Sequence, residues 1–138
     1  MAEKIRLRLV TPSRLLLDEE VDEVTAPGAS GEFGVLPNHI SFLTLLEIGE
    51  MNYKQGSVRH NLALSGGYAE VLDNVMTVLA NAAEYANEID KNRANTAKER
   101  AERKMEEVNR EDKEFMIAES ALHRALIRMQ VAAKSTGR

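Results

Sequence analysis

Apolar residues recur every second position along the first part of the chain and every third or fourth along the rest. Residues 4–10 read Lys, Ile, Arg, Leu, Arg, Leu, Val, so Ile5, Leu7 and Leu9 share one face of a strand, which Thr11, Pro12 and Ser13 turn. Residues 15–17 and 20–26 follow as short strands anchored by Val21 and Val24, with Pro27-Gly28 as the next break. Gly31 and Gly34 let the backbone take left-handed or crowded conformations, and Pro37 pushes Leu36 toward extended geometry. Residues 31–39 are therefore expected to form a loop that holds polar side chains out on a rigid frame. A strand at 41–46 is closed by Gly49. Residues 50–54 and 57–64 flank Gln55-Gly56 as a hairpin, with Val58, Leu62 and Leu64 inward and Ser65-Gly66-Gly67 ending the arm. Residues 68–72 and 75–80 flank the polar turn Asp73-Asn74. Short strands separated by turn residues predict a β-sandwich or barrel over residues 1 to about 84.

Downstream, Ala94, Ala97, Ala101, Met105 and Val108 form a narrow seam on a helix whose other faces are Lys, Arg and Glu. Asn109, Arg110 and Glu111 interrupt it. A second helix, roughly 112–134, carries Phe115, Ala118, Leu122, Ala125, Met129 and Ala132 at heptad-like spacing. The short connection implies an antiparallel hairpin. Its seam is mostly alanine on one side, so the pair opens at low cost if another surface receives Phe115, Leu122, Leu126 and Met129. The fold class is an all-β sandwich at residues 1–86 followed by an α-helical antiparallel hairpin at 87–138.

Charge and composition divide at the same place. Residues 1–86 carry 6 Lys or Arg against 12 Asp or Glu, and residues 87–138 carry 12 against 10, within a net charge of −4. All glycines but Gly137 lie in the first part. The absence of cysteine removes disulfide and thiolate-metal frameworks and is compatible with a reducing compartment. No apolar run approaches about eighteen residues and no signal-peptide pattern opens the chain, so membrane association is expected only through other proteins. A mild acidic balance without a concentrated basic face argues against nucleic acid.

Three motifs follow one another. Residues 31–39, Gly-Glu-Phe-Gly-Val-Leu-Pro-Asn-His, resemble the G-E-x-G-x-L-P-x-H signature of the epsilon subunit family of F-type ATP synthases. Residues 65–71 resemble that family's S-G-G-x-x-E-V, followed by 74–80 and Ala83-Glu84, and residues 89–94 are similar to its I/L-D-x-x-R-A. The chain departs from the pattern at Phe33, where a smaller aliphatic residue is usual, and at Asn38, where glycine is usual. The resemblance implies a head seated on the central stalk, against the gamma subunit and the membrane rotor ring, with a movable two-helix domain and no active site. It implies coupling of rotor to catalytic head in a proton-translocating enzyme at the cytoplasmic face of a bacterial plasma membrane. It also implies restraint of ATP hydrolysis when the helices extend along gamma toward the catalytic beta and alpha subunits. By that pattern the loop around Glu32 faces the ring and the region around His39 lies near the gamma and ring contacts.

No cofactor is required, but in some members a closed hairpin holds one ATP as a regulatory ligand. The matching positions here are Glu84, Ile89, Asp90, Arg93, Ala94, Arg100, Arg124 and Arg128. Read from residue chemistry, Asp90 is first a helix N-cap. Arg124 and Arg128, four apart, can either clasp phosphate oxygens or form a solvated basic face that complements a helix C-terminus. Both readings stand at this level. After Glu119 no acidic side chain remains, whereas Arg124, Arg128, Lys134 and Arg138 do, which suits an acidic partner; the family's partner there is an acidic segment of the catalytic beta subunit. His39, His60 and His123 are scattered, and Glu99, Glu102, Glu106 and Glu107 fit a solvated helix face better than acid catalysis. The other reading is a free-standing nucleotide-sensing adaptor in which a β-sandwich displays a helical hairpin.

Overall fold

The computed structural model describes residues 3–134; Arg138 lies outside them. Eight strands, β1 (Ile5–Thr11), β2 (Arg14–Val21), β3 (Glu23–Gly28), β4 (Gly31–Val35), β5 (Phe42–Gln55), β6 (Val58–Leu72), β7 (Val75–Ala80) and β8 (Ala83–Tyr85), precede helices α1 (Lys91–Glu107) and α2 (Lys113–Ala132). The hydrogen-bonded order is β2-β1-β7-β6-β5-β3-β4, with β8 on β6. Four strands separate β2 from β3 in this ladder, yet the two are joined through Asp22 alone, so the sheet has to curl over into two layers. Asp22 N donating to Lys54 O at 2.8 Å and Gln55 Nε2 to Glu19 Oε1 at 2.9 Å close the seam. Ile5, Leu7 and Leu9, as the alternation predicts, are fully buried in the core between the layers, with Val21, Val24, Leu62 and Leu64.

The expected strand breaks fall differently. Of the two short strands expected around residue 20, the first is longer and the second starts and ends later, and the two meet at the single bend Asp22. Pro27-Gly28 belongs to β3: the ladder to β5 shifts between Thr25 and Gly28, and such an irregularity tolerates a residue without an N–H. Gly31–Val35 is a strand paired with β3, and only residues 36–41 remain irregular. Gly31 does adopt φ +122°, but Gly34 does not need the left-handed region. Phe33 turns inward and packs edge-on against Phe42, with centroids 5.4 Å apart. Asn38 occupies the usual glycine position at φ 65°, a conformation Asn tolerates best after glycine.

Gly49 and Ser65-Gly66-Gly67 do not end strands; they lie within β5 and β6. A Cβ at Gly67 would come within 2.0 Å of Leu79 O, so this position admits only glycine where β6 passes from its pairing with β8 to its pairing with β7. Asp73 and Asn74 both take positive φ, 49° and 63°, and make the tight turn that their polarity predicts. Val58, expected inward, is exposed at the rim.

The helices pack as an antiparallel hairpin along Ala94 and Ala101 of α1 and Ala118 and Ala125 of α2. Leu126 of the expected second seam is exposed, while Phe115, Leu122 and Met129 are half-buried. The surface that does dock is the end of α2: Val131 and Ala132 pack with Ala63 of β6 and Ile89, in a cluster separate from the sandwich core.

Candidate functional site

The link between the two parts is pinned on both sides. Strand β8 pairs Leu62↔Tyr85, Ala63↔Glu84 and Leu64↔Ala83. The Tyr85 and Tyr53 hydroxyls are 2.9 Å apart, and His60 stacks on the Tyr53 ring at 4.7 Å. Burial pushes both phenol pKa values up, so the pair stays neutral through the physiological range. A 3-10 turn, Ala86–Glu88, follows, in which Tyr85 N donates to Glu88 Oε1 at 3.2 Å. Asp90 then caps α1 as its sequence position predicts, accepting from Arg93 N at 3.0 Å.

That cap starts α1 beside β8, and α2 returns so that Arg128 Nε donates to Glu84 Oε1 at 2.7 Å. A cavity of about 480 Å³ opens between them, within the size range of small-ligand sites. Of the eight positions named from the sequence, Glu84, Ile89, Asp90, Arg93, Ala94, Arg100 and Arg128 line it. Arg124 does not. It sits one turn earlier and about 40° further round α2, which puts it on a shallow groove with Lys113, Met116, Ile117 and Ser120. Asn92, Thr96 and Ala97 complete the cavity wall. Thr96 and Ala97 lie three and four residues from Arg93 and again from Arg100, so helical spacing from the arginines would have found them.

Three guanidinium groups face this cavity against two carboxylates, and both carboxylates are engaged, Asp90 by the cap and Glu84 by Arg128. Arg93 and Arg100 make no ion pair among the described residues. The site therefore presents uncommitted positive charge on a half-open concave surface, suited to a polyanion with a flat or apolar end against Ile89 and Ala94. Among the described residues no group of three His, Cys, Asp or Glu could hold a metal ion.

The head has a second notable surface. Registers Leu45↔Tyr68, Tyr68↔Leu79, Val10↔Leu79 and Val10↔Leu15 run one row across five strands. Leu45, Tyr68, Leu79 and Leu15 are each about half exposed, so the row is an apolar ribbon facing solvent. Glu32 is exposed on β4, and His39 Nδ1 lies 2.8 Å from Ile40 O with its ring against Phe42. The intervening loop is stapled: Asn38 N donates to Asn74 Oδ1 at 2.7 Å, and Asn74 Nδ2 to Lys4 O at 2.8 Å.

The described family "ATP synthase, Delta/Epsilon chain, beta-sandwich domain" matches residues 4–86, and "ATP synthase, Delta/Epsilon chain, long alpha-helix domain" matches residues 87–133. The chain is 55% identical over 138 residues to the ATP synthase epsilon chain of Geobacter sp. (strain M21), covering all of both chains. It is 56% identical over 135 residues to that of Geotalea daltonii, covering 98% of each. A chain in the mitochondrial ATP synthase structure of Euglena gracilis superposes with TM-score 0.80 at 27% identity, covering 96% of this chain and 82% of that one. Matched end to end in sequence and in both structural parts, the chain belongs to the ATP synthase epsilon-chain family, non-catalytic subunits of the central stalk.

Proposed function

We propose that the chain joins rotor to catalytic head in a proton-translocating ATP synthase, and that its hairpin restrains ATP hydrolysis under the control of one bound ATP. The observation that carries the regulatory part is the cavity at the hinge: Arg93, Arg100 and Arg128 converge there only while α2 lies beside α1 and β8. A ligand that needs all three favours the closed hairpin by its differential affinity for that state. Triphosphate oxygens suit guanidinium forks, and Ile89 and Ala94 offer a small apolar wall for a base. Equilibrium dialysis of the full chain against millimolar ATP tests this. Uptake that Arg128→Ala abolishes and Arg124→Ala leaves nearly intact is expected; no uptake, or equal loss in both variants, refutes the site.

The apolar ribbon on the head fits a firm partner contact, and the gamma subunit of the stalk is the occupant this reading assigns to it. Glu32 and the His39 loop then face the rotor ring, which places the chain peripherally at the cytoplasmic face of the membrane. None of the described helices is long and apolar enough to cross a membrane. The end of α2 has no acidic residue after Glu119, which suits an acidic surface on the catalytic beta and alpha subunits. Removing residues 112–138 should raise ATP hydrolysis by the assembled enzyme without preventing assembly. Tyr68→Asp should weaken copurification with gamma, and its retention at wild-type level would displace gamma from the ribbon.

A further inference from the structure

Where α2 meets the head, the three nearest strands place Glu50 of β5, Ala63 of β6 and Glu84 of β8 on one cross-strand row. Two carboxylates thus flank one small apolar residue. The last two turns of α2 straddle that row. Val131 and Ala132, both fully buried, cover Ala63, while Arg128 reaches Glu84 on one side. On the other side Lys134 Nζ donates to both Glu50 oxygens at 2.8 Å, and Gln130 Nε2 donates to Oε1 at 3.2 Å. This leaves the Glu50 side chain only 10% exposed.

The two sides differ in what can reach them. Glu84 and Arg128 line the hinge cavity, so a polyphosphate entering it competes with Glu84 for Arg128. Glu50 lies beyond Ala63 and does not line that cavity, so a ligand there leaves its three hydrogen bonds in place.

We propose that Glu50, gripped by Lys134 and Gln130, is a nucleotide-independent latch that sets how readily the hairpin leaves the head before any ligand binds. Only the contrast with Glu84 rests on the nucleotide reading; the Glu50 latch does not. Electrostatics explain the choice of residues. A carboxylate shielded by a docked helix gains more from its cation than an open surface pair does, and loses that gain when the helix leaves. Because a ligand that binds only the closed form has its apparent affinity scaled by the closed fraction, the latch also tunes that affinity without touching the ligand.

The chain has no cysteine, so Ala63→Cys provides a single reporter thiol covered by the end of α2. In the full chain without nucleotide, the maleimide labelling rate then reads the opening constant. Glu50→Gln and Lys134→Ala should each raise that rate about five-fold, the scale of a partly shielded ion pair. The double variant should label no faster than Glu50→Gln alone, and the rise of the rate with salt should flatten in all three. Unchanged rates in the single variants, or multiplied effects in the double, overturn the latch. Faster labelling together with no ATP uptake in dialysis keeps the latch and removes the nucleotide reading, and the reverse pair of results removes the latch alone.

Discussion

In the sandwich, Ile5, Leu7, Leu9, Met51, Leu62, Leu64 and Met76 are fully buried between two layers, whereas α1 buries only Ala94 and Ala101. A buried leucine or isoleucine contributes about 1.5–3 kcal/mol and a methyl group about 0.8. The head is thus held by its own core, and the hairpin by a thin alanine seam plus the docking of one helix end. Unequal packing of this kind lets a part move without unfolding the whole, because the contacts broken on opening are few and lie outside the main core.

Changes within the head should have the largest effect. Gly67→Ala places a methyl group 2.0 Å from Leu79 O in a residue held at φ +141°, and neither β6 nor β7 can yield without breaking the ladder. We expect a loss of about 3 kcal/mol or more, read as a large fall in the urea midpoint of the full chain. Leu7→Ala should cost about 2–5 kcal/mol by the same measurement.

At the junction, Val131→Ala removes two fully buried methyl groups from the docking cluster and none from the sandwich core. The expected cost is about 1–2 kcal/mol, confined to docking. Amide hydrogen exchange should quicken along the end of α2 while the head's urea midpoint stays put. An equal fall in that midpoint would mean that head and hairpin form one core, which would break the contrast. Within the hairpin itself, Asp90→Ala should cost about 1 kcal/mol of α1 stability through loss of the bond from Arg93 N, read in the thermal loss of the helical dichroism signal.

The same contrast explains what the sequence disclosed. Alternation over Ile5, Leu7 and Leu9 marks one face because every second residue of a strand faces the core, and Asp73-Asn74 marks a turn because two adjacent residues there must take positive φ. Glycines 49, 66 and 67 read as strand ends because a chain alone cannot show that a neighbouring strand approaches. At Gly49 the neighbour is Pro27, whose Cβ would lie 2.6 Å from an added methyl. Motif and helical spacing pick out seven positions near Asp90 that meet around one cavity, and Arg124 lies outside that lining because a face drawn at four-residue intervals ignores a shift of about 40°. Glu50 carries no local signal at all. Its role depends on pairing across β5 and β6 and on a helix 80 residues away, a distance that only folding closes.

The smallest expected effect concerns charge at the rim of the head. Arg6 donates through Nε to Asp18 at 2.7 Å and holds its carboxyl below the usual carboxylate range. Lys4, with help from Gly56 N, does the same for Asp22. A carboxylate whose folded pKa is depressed contributes stability that is fully present above the unfolded value, near about 3.9, and is lost as pH falls through the folded value. Both groups are open to solvent, so the contribution is modest and screened by salt. The urea midpoint of the head should therefore begin to fall below about pH 5 and keep falling as the pH drops through the depressed folded values of Asp18 and Asp22. The fall should be shallower in Asp18→Asn/Asp22→Asn, and shallower in both at high salt. No such ion pair joins α1 to the head among the described residues, so the same acid step should leave the alanine seam of the hairpin largely unmoved. If the double variant loses stability with acid as steeply as the wild type, the rim pairs contribute nothing measurable and the head's stability rests on its apolar core alone.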